Sequence, residues 1–264
     1  MNKNFGDAAF IVSATASSSL AVAFAATGNC SVAGSTVHLT GAGSCTVSAS
    51  QAGDSNYNPA PDVSQALTIN KALPLVTLSC SPASFDVNTH ACTAAVTGIG
   101  SATVGGFATV TYNSNSTPPA NAGTYSVSAS FSSSDSNYAD ASGNGSLVIA
   151  KATPKVTVAC PAGVVFNGSP QACTAAATGV GNAAVSGSAV LTYSGGTYSA
   201  GPAPSAGGTY AVSASFNSGD SNYADDTGIG SLIIAKAGQT ITFGALATKT
   251  FGDSDFAIDR KSVV

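Results

Sequence analysis

The chain has 264 residues, of which 8% are charged, and its formal net charge is −4. All twelve acidic residues are aspartates and Arg260 is the single arginine, so the chain has no basic patch that would collect nucleic-acid phosphates. No apolar run reaches the roughly 20 residues that a membrane-spanning helix requires. The composition therefore argues against nucleic acid and bilayer partners, and its small and β-branched residues favour strands and tight turns.

The beginning of the chain allows two interpretations. Residues 8–26 are small and apolar, as in the hydrophobic region of a signal peptide. However, the opening KNFGDAAF, which starts at Lys3, has a counterpart in KTFGDSDF, which starts at Lys249, where a signal peptide would have no function. We therefore interpret residues 3–10 as the start of a folded repeat.

Three similar segments of equal length run from Ser48 to Ala72, from Ser128 to Ala152 and from Ser213 to Ala237. Each contains the sequence DSNY and ends in Lys-Ala. Self-similarity at a domain-sized period predicts separately folded modules. The predicted modules are residues 1–71, 72–151 and 152–236, followed by the truncated start of another repeat at 237–264.

Each module is predicted to be an immunoglobulin-like β-sandwich, which makes the chain all-β. In the third module Tyr210, Val212, Ala214 and Phe216 alternate with small or polar residues, as in a half-buried antiparallel strand. Turn-forming residues recur every 8 to 12 positions, which is typical of a sandwich of about seven strands.

The first module is predicted to lack the first strand of the sandwich. Residues 238–248, GQTITFGALAT, match that strand but lie at the far end. An open sandwich edge is a site for pairing with another chain. Strand exchange between copies is therefore a predicted form of self-association.

The six cysteines fall two to a module, as Cys30 with Cys45, Cys80 with Cys92, and Cys160 with Cys173. An even count without redox or metal-site spacing predicts one local disulfide in each module. Buried free thiols are one alternative, and a zinc site that combines His90 with Cys80 and Cys92 is another. Gln171 stands at the position of His90 in the third module, where the cysteines remain, and this argues against zinc.

The DSNY sequences predict tight turns, because Asp and Asn side chains bond to their own backbone. Tyr57, Tyr138 and Tyr223 are then expected to enter the edge of the sandwich in the manner of a tyrosine corner. Calcium binding is the alternative function of these turns. Its candidate ligands are Asp220, Asp225 and Asp226.

Two tyrosines are the candidates for ligand binding. Tyr193 and Tyr198 flank a Gly-Gly pair and could stack on a sugar, although a hairpin turn between two strands is the favoured explanation for them. Nucleophilic catalysis requires a base beside a Ser or Cys. The only histidines, His38 and His90, do not recur in the third module, so we predict no catalytic residue and no cofactor.

The sequence resembles known bacterial repeats. KNFGDAAFIVSATASSS together with AGDSNY and LTINKA is similar to the MBG-type repeat, named after a mucin-binding glycoprotein, and to the Ig-like repeats of invasin and intimin. TVACPAGVVFNGSPQACTAAATG and the endings DSNYA resemble related bacterial Ig-like repeats. The resemblance implies an extracellular β-sandwich repeat of a large surface or secreted protein, and it carries over no active site.

Three hypotheses for function follow. The first is a non-catalytic spacer that holds a functional tip away from a bacterial cell surface. The second is an adhesin-type module whose partner is a glycan or a protein of the host or of the same surface. The third is a gene fragment of a longer repeat array, suggested by ends that fall inside repeats.

Overall fold

The computed structural model describes residues 2–196 and 198–255. The chain divides into two compact units, Met1–Val158 with Ala175–Val190 and Ala214–Ile229, and Ala159–Thr174 with Leu191–Ser213 and Gly230–Val264. No helix within residues 2–196 and 198–255 is long and apolar enough to cross a membrane. Residue 197 and residues 256–264, which include Arg260 and the end of the KTFGDSDF repeat, lie outside the described residues.

The first module has two sheets that enclose a core around its disulfide. The sheets have the orders β1-β7-β6-β3 and β2-β5-β4. Buried apolar residues from both sheets form the core: Cys30, Val37, Cys45, Val47 and Ile69. The strands are β1 (Lys3–Asn4), β2 (Phe10–Ile11), β3 (Ala23–Gly28), β4 (Cys30–Ala33), β5 (Thr36–Leu39), β6 (Gly43–Gln51) and β7 (Ala60–Asn70).

The second module places a two-stranded sheet, β10-β8, against a four-stranded sheet, β11-β12-β13-β9. Along β12 the side chains of Val127, Ala129 and Phe131 are buried, while their neighbours Ser130 and Ser132 are exposed. The strands are β8 (Leu75–Ser79), β9 (Ala83–Ser84), β10 (Thr93–Thr97), β11 (Gly106–Tyr112), β12 (Gly123–Ser133) and β13 (Ala141–Ala150), with a 3-10 turn at Ile99–Ser101.

The third module repeats this arrangement, with the sheet orders β14-β16 and β15-β20-β19-β17-β18. Tyr210, Val212, Ala214 and Phe216 are all buried along β19, as their period of two predicts. The strands are β14 (Lys155–Ala159), β15 (Val164–Val165), β16 (Thr174–Thr178), β17 (Gly187–Gly195), β18 (Tyr198–Gly201), β19 (Gly208–Ser218) and β20 (Asp226–Ala235), with a 3-10 turn at Val180–Asn182. The all-β, immunoglobulin-like sandwich prediction is therefore confirmed.

The first module departs from the other two in its DSNY segment. One residue fewer separates Asp54 from Ser48 than separates Asp135 from Ser128. The structure accommodates this difference as an irregularity in the pairing of β6 with β7, between Ala49 and Gln51. A β-bulge shifts the register by one residue while the two strands stay paired on both sides of it, so Gln51 still pairs with Ala60 beyond this point.

The module also has no strand in the place that β8 takes in the second module. Its residues 12–22 form no strand, and residues 236–249 are without regular secondary structure. The side chains of Ile241 and Phe243 in that distal segment are 94% and 68% exposed. A strand-like sequence and an open sandwich edge are thus both present and both unpaired within the described residues.

Candidate functional site

Each of the three modules contains one disulfide, and the three bonds join the cysteine pairs that the sequence predicts. The bonds are Cys30–Cys45, Cys80–Cys92 and Cys160–Cys173, and no free cysteine is found in the described parts of the chain. In the second module the bond connects the residue after β8 with the residue before β10. Such a short covalent loop stabilises the module by about 3 kcal/mol, because it restricts the unfolded chain.

The DSNY turn of the second module forms the junction with the first module. The Ala42 N–H donates to Asn137 Oδ1 at 2.8 Å, across the module boundary. The ring of Tyr138 lies edge-to-face with Phe5, with 5.7 Å between their centroids. The backbone of Ala72 bonds on both sides of this turn, to the Asn137 carbonyl and to the Ala139 N–H, each at 2.9 Å. The turn thus contacts both the preceding module and the connection between modules.

The same set of contacts recurs one module further along the chain. The Ala122 N–H donates to Asn222 Oδ1 at 2.8 Å. Phe85 lies edge-to-face with Tyr223 at 5.4 Å. Ala152 bonds to the Asn222 carbonyl and the Ala224 N–H, each at 2.9 Å. Two independent junctions with the same donor, acceptor and ring pair indicate a general rule for joining these modules.

Each junction tyrosine is also fixed within its own module. The hydroxyl of Tyr138 accepts a hydrogen bond from the Ile99 N–H at 3.0 Å, and Tyr223 accepts one from Val180 at the same distance. In both modules the N–H that donates this hydrogen bond belongs to the first residue of a 3-10 turn, and a glycine precedes that residue. A Cβ added to Gly98 would overlap the Tyr138 ring, so glycine is required for this close approach.

The tyrosine-corner prediction is correct for two modules and wrong for the first. Tyr138 and Tyr223 are 4% and 5% exposed, whereas Tyr57 is 53% exposed. The described residues of the first module contain no 3-10 turn that could offer an N–H to Tyr57. Its turn is instead closed on itself, since Asp54 Oδ1 accepts from both the Asn56 and Tyr57 N–H groups.

The structure separates the two candidate glycan-stacking tyrosines. Tyr193 is 3% exposed, and its hydroxyl accepts a hydrogen bond from the Cys173 N–H at 2.7 Å. Its prediction as a ligand-binding residue is therefore wrong, because a buried ring offers no face to a sugar. Tyr198 donates its hydroxyl to the Pro202 carbonyl at 2.6 Å and lies edge-to-face with Tyr210. Ligand binding by Tyr198 stays a prediction.

Two of the aspartates considered as calcium ligands accept hydrogen bonds from backbone N–H groups in and beside the DSNY turn. Asp220 Oδ1 accepts from the Asn222 N–H and Asp225 Oδ1 from the Ser218 N–H, each at 2.8 Å. Asp226 is the first residue of β20. Within residues 2–196 and 198–255, no group of three or more His, Cys, Asp or Glu side chains is placed to hold a metal ion. The calcium hypothesis thus finds no assembled site there.

The zinc alternative fails because Cys80 and Cys92 are bonded to each other. His90 instead places Nε2 3.0 Å from Asp86 Oδ1. The pKa of Asp86 lies below its ordinary value, chiefly because its carboxylate accepts the Asn88 N–H, with a smaller contribution from His90. In the third module Gln171 donates to Asn167 Oδ1 at 3.1 Å, an uncharged version of the same loop. His38 is exposed on β5.

Sequence reasoning missed the junction residues Phe5, Phe85, Asn137 and Asn222. A signal was available, because Phe85 follows Phe5 at the same interval in sequence at which Lys151 follows Lys71, which is the repeat period. The core role of Tyr193 was also readable from the sequence. Tyr112 and Tyr193 each follow the second cysteine of their module at the same spacing, and each binds that cysteine's N–H.

These features define a class of protein, a tandem array of small disulfide-bonded β-sandwich modules. The family model described as MBG domain matches residues 75–153 and 155–238, which are the second and third modules. The chain therefore belongs to the MBG domain family. No curated protein matches the chain.

Proposed function

We propose that this chain is a non-catalytic spacer in a bacterial cell-surface or secreted protein, and that its DSNY turns hold successive modules in a fixed relation. The observation that carries this proposal is the repeated junction. The side chains of Asn137 and Asn222 each accept a hydrogen bond from a backbone N–H of the preceding module. The rings of Tyr138 and Tyr223 each pack on a phenylalanine of that preceding module.

Several further features support this role. The junction contacts involve the turn, a loop N–H and the Lys-Ala connection, so neither partner module can rotate without breaking them. The described residues contain no cluster of metal-binding side chains, and the family is one of repeat domains. An extracellular location is favoured by one disulfide in each module, because such bonds persist in oxidising compartments.

Backbone nitrogen-15 relaxation measures whether the first two modules rotate together. We expect one common rotational diffusion tensor for the native chain. The double variant Phe5→Ala and Asn137→Ala removes both sides of the junction, and its first module should tumble faster than its second. Ser136→Ala is the matched control, because Ser136 is exposed in the same turn. Independent tumbling in the native chain would contradict the spacer proposal.

The location can be tested on its own. Protease treatment of intact bacterial cells that express the native gene should digest these modules, while a cytoplasmic marker stays intact. Full protection of the modules on intact cells, with digestion only after lysis, would contradict an extracellular role.

An adhesin is the second candidate, and Tyr198 is the observation that favours it. This residue begins β18, the strand that pairs with β17 at the edge of its sheet. Aromatic rings at such positions can stack on sugars. A glycan array probed with the native chain and with Tyr198→Ala tests this candidate. Binding that Tyr198→Ala leaves unchanged would remove Tyr198 from any adhesive surface.

A further inference from the structure

In the second module, β8 packs across one face of the four-stranded sheet β11-β12-β13-β9, and the space that it occupies is called the slot. Val76 of this strand is 8% exposed and packs with Ala129 and Phe131 in the core. A Cβ added to Gly143 would lie 2.6 Å from the Val76 carbonyl oxygen, and one added to Gly145 would lie 3.5 Å from Leu78. The strand therefore lies directly on β13.

In the first module, the corresponding slot is an open groove of about 440 Å³. Its apolar lining includes Val12, Ala14, Val47, Ala49 and Val63. Val47 and Ala49 correspond in register to Val127 and Ala129 of the second module. Val63 takes the place of Gly143 and is 60% exposed. Because a Cβ at Gly143 would meet the backbone of β8, a strand in the first-module groove lies farther from β7 than β8 lies from β13.

The chain also carries a segment whose sequence resembles the strand that fills this slot. Lys236-Ala237 corresponds to Lys71-Ala72, which places Ile241 at the position of Val76 and Phe243 at that of Leu78. Ile241 and Phe243 alternate with threonines, and residues 237–248 contain no charged side chain. Alternation of large apolar and β-branched residues is the pattern of a strand with one buried face.

We propose that residues 239–243 of one copy dock as a strand in the first-module groove of a second copy. Ile241 and Phe243 then cover Val47, Ala49 and Val63, and the backbone pairs beside residues 13–16 as β8 pairs with β10. This is strand addition to an open edge, in which backbone hydrogen bonds give affinity and alternate side chains give specificity. Because donor and groove are different surfaces, the contact is heterologous and can propagate from copy to copy.

A second pair of surfaces favours another copy as the occupant. Phe166 has the register of Phe5 and Phe85, since all three donate their N–H to the last strand of their module. It is 45% exposed beside a hollow lined by Gly207, Lys236 and Ala237. Tyr57 is 53% exposed. Docking of residues 239–243 brings the third module of one copy to the first module of the next. Phe166 and Tyr57 can then form an edge-to-face ring pair like Phe5 with Tyr138.

Sedimentation velocity on the full chain, over a concentration series, tests the proposal. We expect the native chain to associate progressively. Ile241→Asp should weaken association about tenfold or more, because it places a charge in an apolar groove. Thr242→Asp is the matched control on the opposite face of the strand and should associate like the native chain. A native chain that stays monomeric at all concentrations would overturn the proposal.

Mixing two defective variants identifies the surfaces. Val63→Arg blocks the groove at an exposed position and leaves the donor strand intact, whereas Ile241→Asp has an intact groove and a defective donor. At a concentration where each variant alone is monomeric, an equimolar mixture should form dimers and no larger species. A mixture that remains monomeric, or an Ile241→Asp chain that still forms long assemblies, would overturn the proposal. Circular dichroism confirms that both variants are folded.

Closure within one chain is the remaining outcome that would contradict it. In that case the native chain would be monomeric, and Ile241→Asp would lower the melting temperature of the first module without any effect of concentration. A fluorescent peptide of residues 237–248 distinguishes the two cases when it is added to the native chain at a concentration too low for association. It should bind the free groove of the native chain and should not bind Val63→Arg, whereas closure within one chain would keep it from the native groove.

Discussion

The first and second modules share core strands and register, yet they differ in how their edges are closed. The second module has β8 in its slot, and its DSNY tyrosine is buried against the preceding module. The first module has an open groove in the same place, and its DSNY tyrosine is exposed. The comparison teaches that the DSNY signature has no fixed structural role of its own. Its burial depends on a 3-10 turn within the module and on a phenylalanine from the module before it.

The largest expected effect concerns the two tyrosines. Tyr138→Ala removes a ring that is 4% exposed and leaves a cavity at the junction, so we expect it to destabilise the second module by about 3–5 kcal/mol. Tyr57→Ala should change stability by less than about 0.5 kcal/mol, because Tyr57 is largely in solvent. Urea unfolding followed by circular dichroism measures both. Equal losses for the two variants would contradict the distinction between the modules.

Removal of a disulfide should have the next largest effect. Replacing Cys80 and Cys92 with serine should cost about 3 kcal/mol, because the loop between them is no longer constrained in the unfolded chain. The same change at Cys30 and Cys45 removes two residues of the core itself. We therefore expect the first module to lose more stability than the second, as measured by the urea midpoint of each double variant. A larger loss at Cys80 and Cys92 would reverse this order.

The junction hydrogen bond should have a smaller effect. Asn137→Ala leaves the Ala42 N–H without its acceptor, and a lost hydrogen bond of this kind costs about 1 kcal/mol. Hydrogen exchange at the Ala42 amide should accelerate by about fivefold to tenfold, with the Ala122 amide as an internal control because it is bound by Asn222. Unchanged exchange at Ala42 would show that the junction opens without breaking this bond.

The smallest expected effect is on pH dependence in the second module. Because the pKa of Asp86 is lowered in the folded state, its contribution to stability is present above the ordinary aspartate pKa and is lost as the pH falls through the folded value. Asp86→Asn should remove this acid sensitivity and keep the loop, since Asn167 already serves the third module in that way. Carboxyl titration by NMR measures the midpoint of Asp86. A midpoint at or above the ordinary value would contradict the prediction.

Much of the fold was readable from the sequence because it depends on local or periodic patterns. Alternation along β12 and β19 identified the buried faces, and one pair of cysteines per repeat identified the disulfides. The junction contacts were not readable in the same way, because they join residues that lie 95 and 100 positions apart, and polar turn residues such as Asn137 are usually explained by their own backbone. The burial of Tyr57 was predicted wrongly, because its sequence is that of a junction turn although the described part of the first module has no 3-10 turn to bind its hydroxyl.

The disulfides have a consequence when the array is pulled from its ends. Cys80–Cys92 and Cys160–Cys173 join residues that lie 12 and 13 positions apart near the start of a module. A fully extended residue spans at most about 3.6 Å, so each bond withholds roughly 40 Å of contour length from a module that unfolds under tension. A stretched array would therefore lengthen in steps that are shorter than its module length implies, and reducing agents would increase each step by that amount.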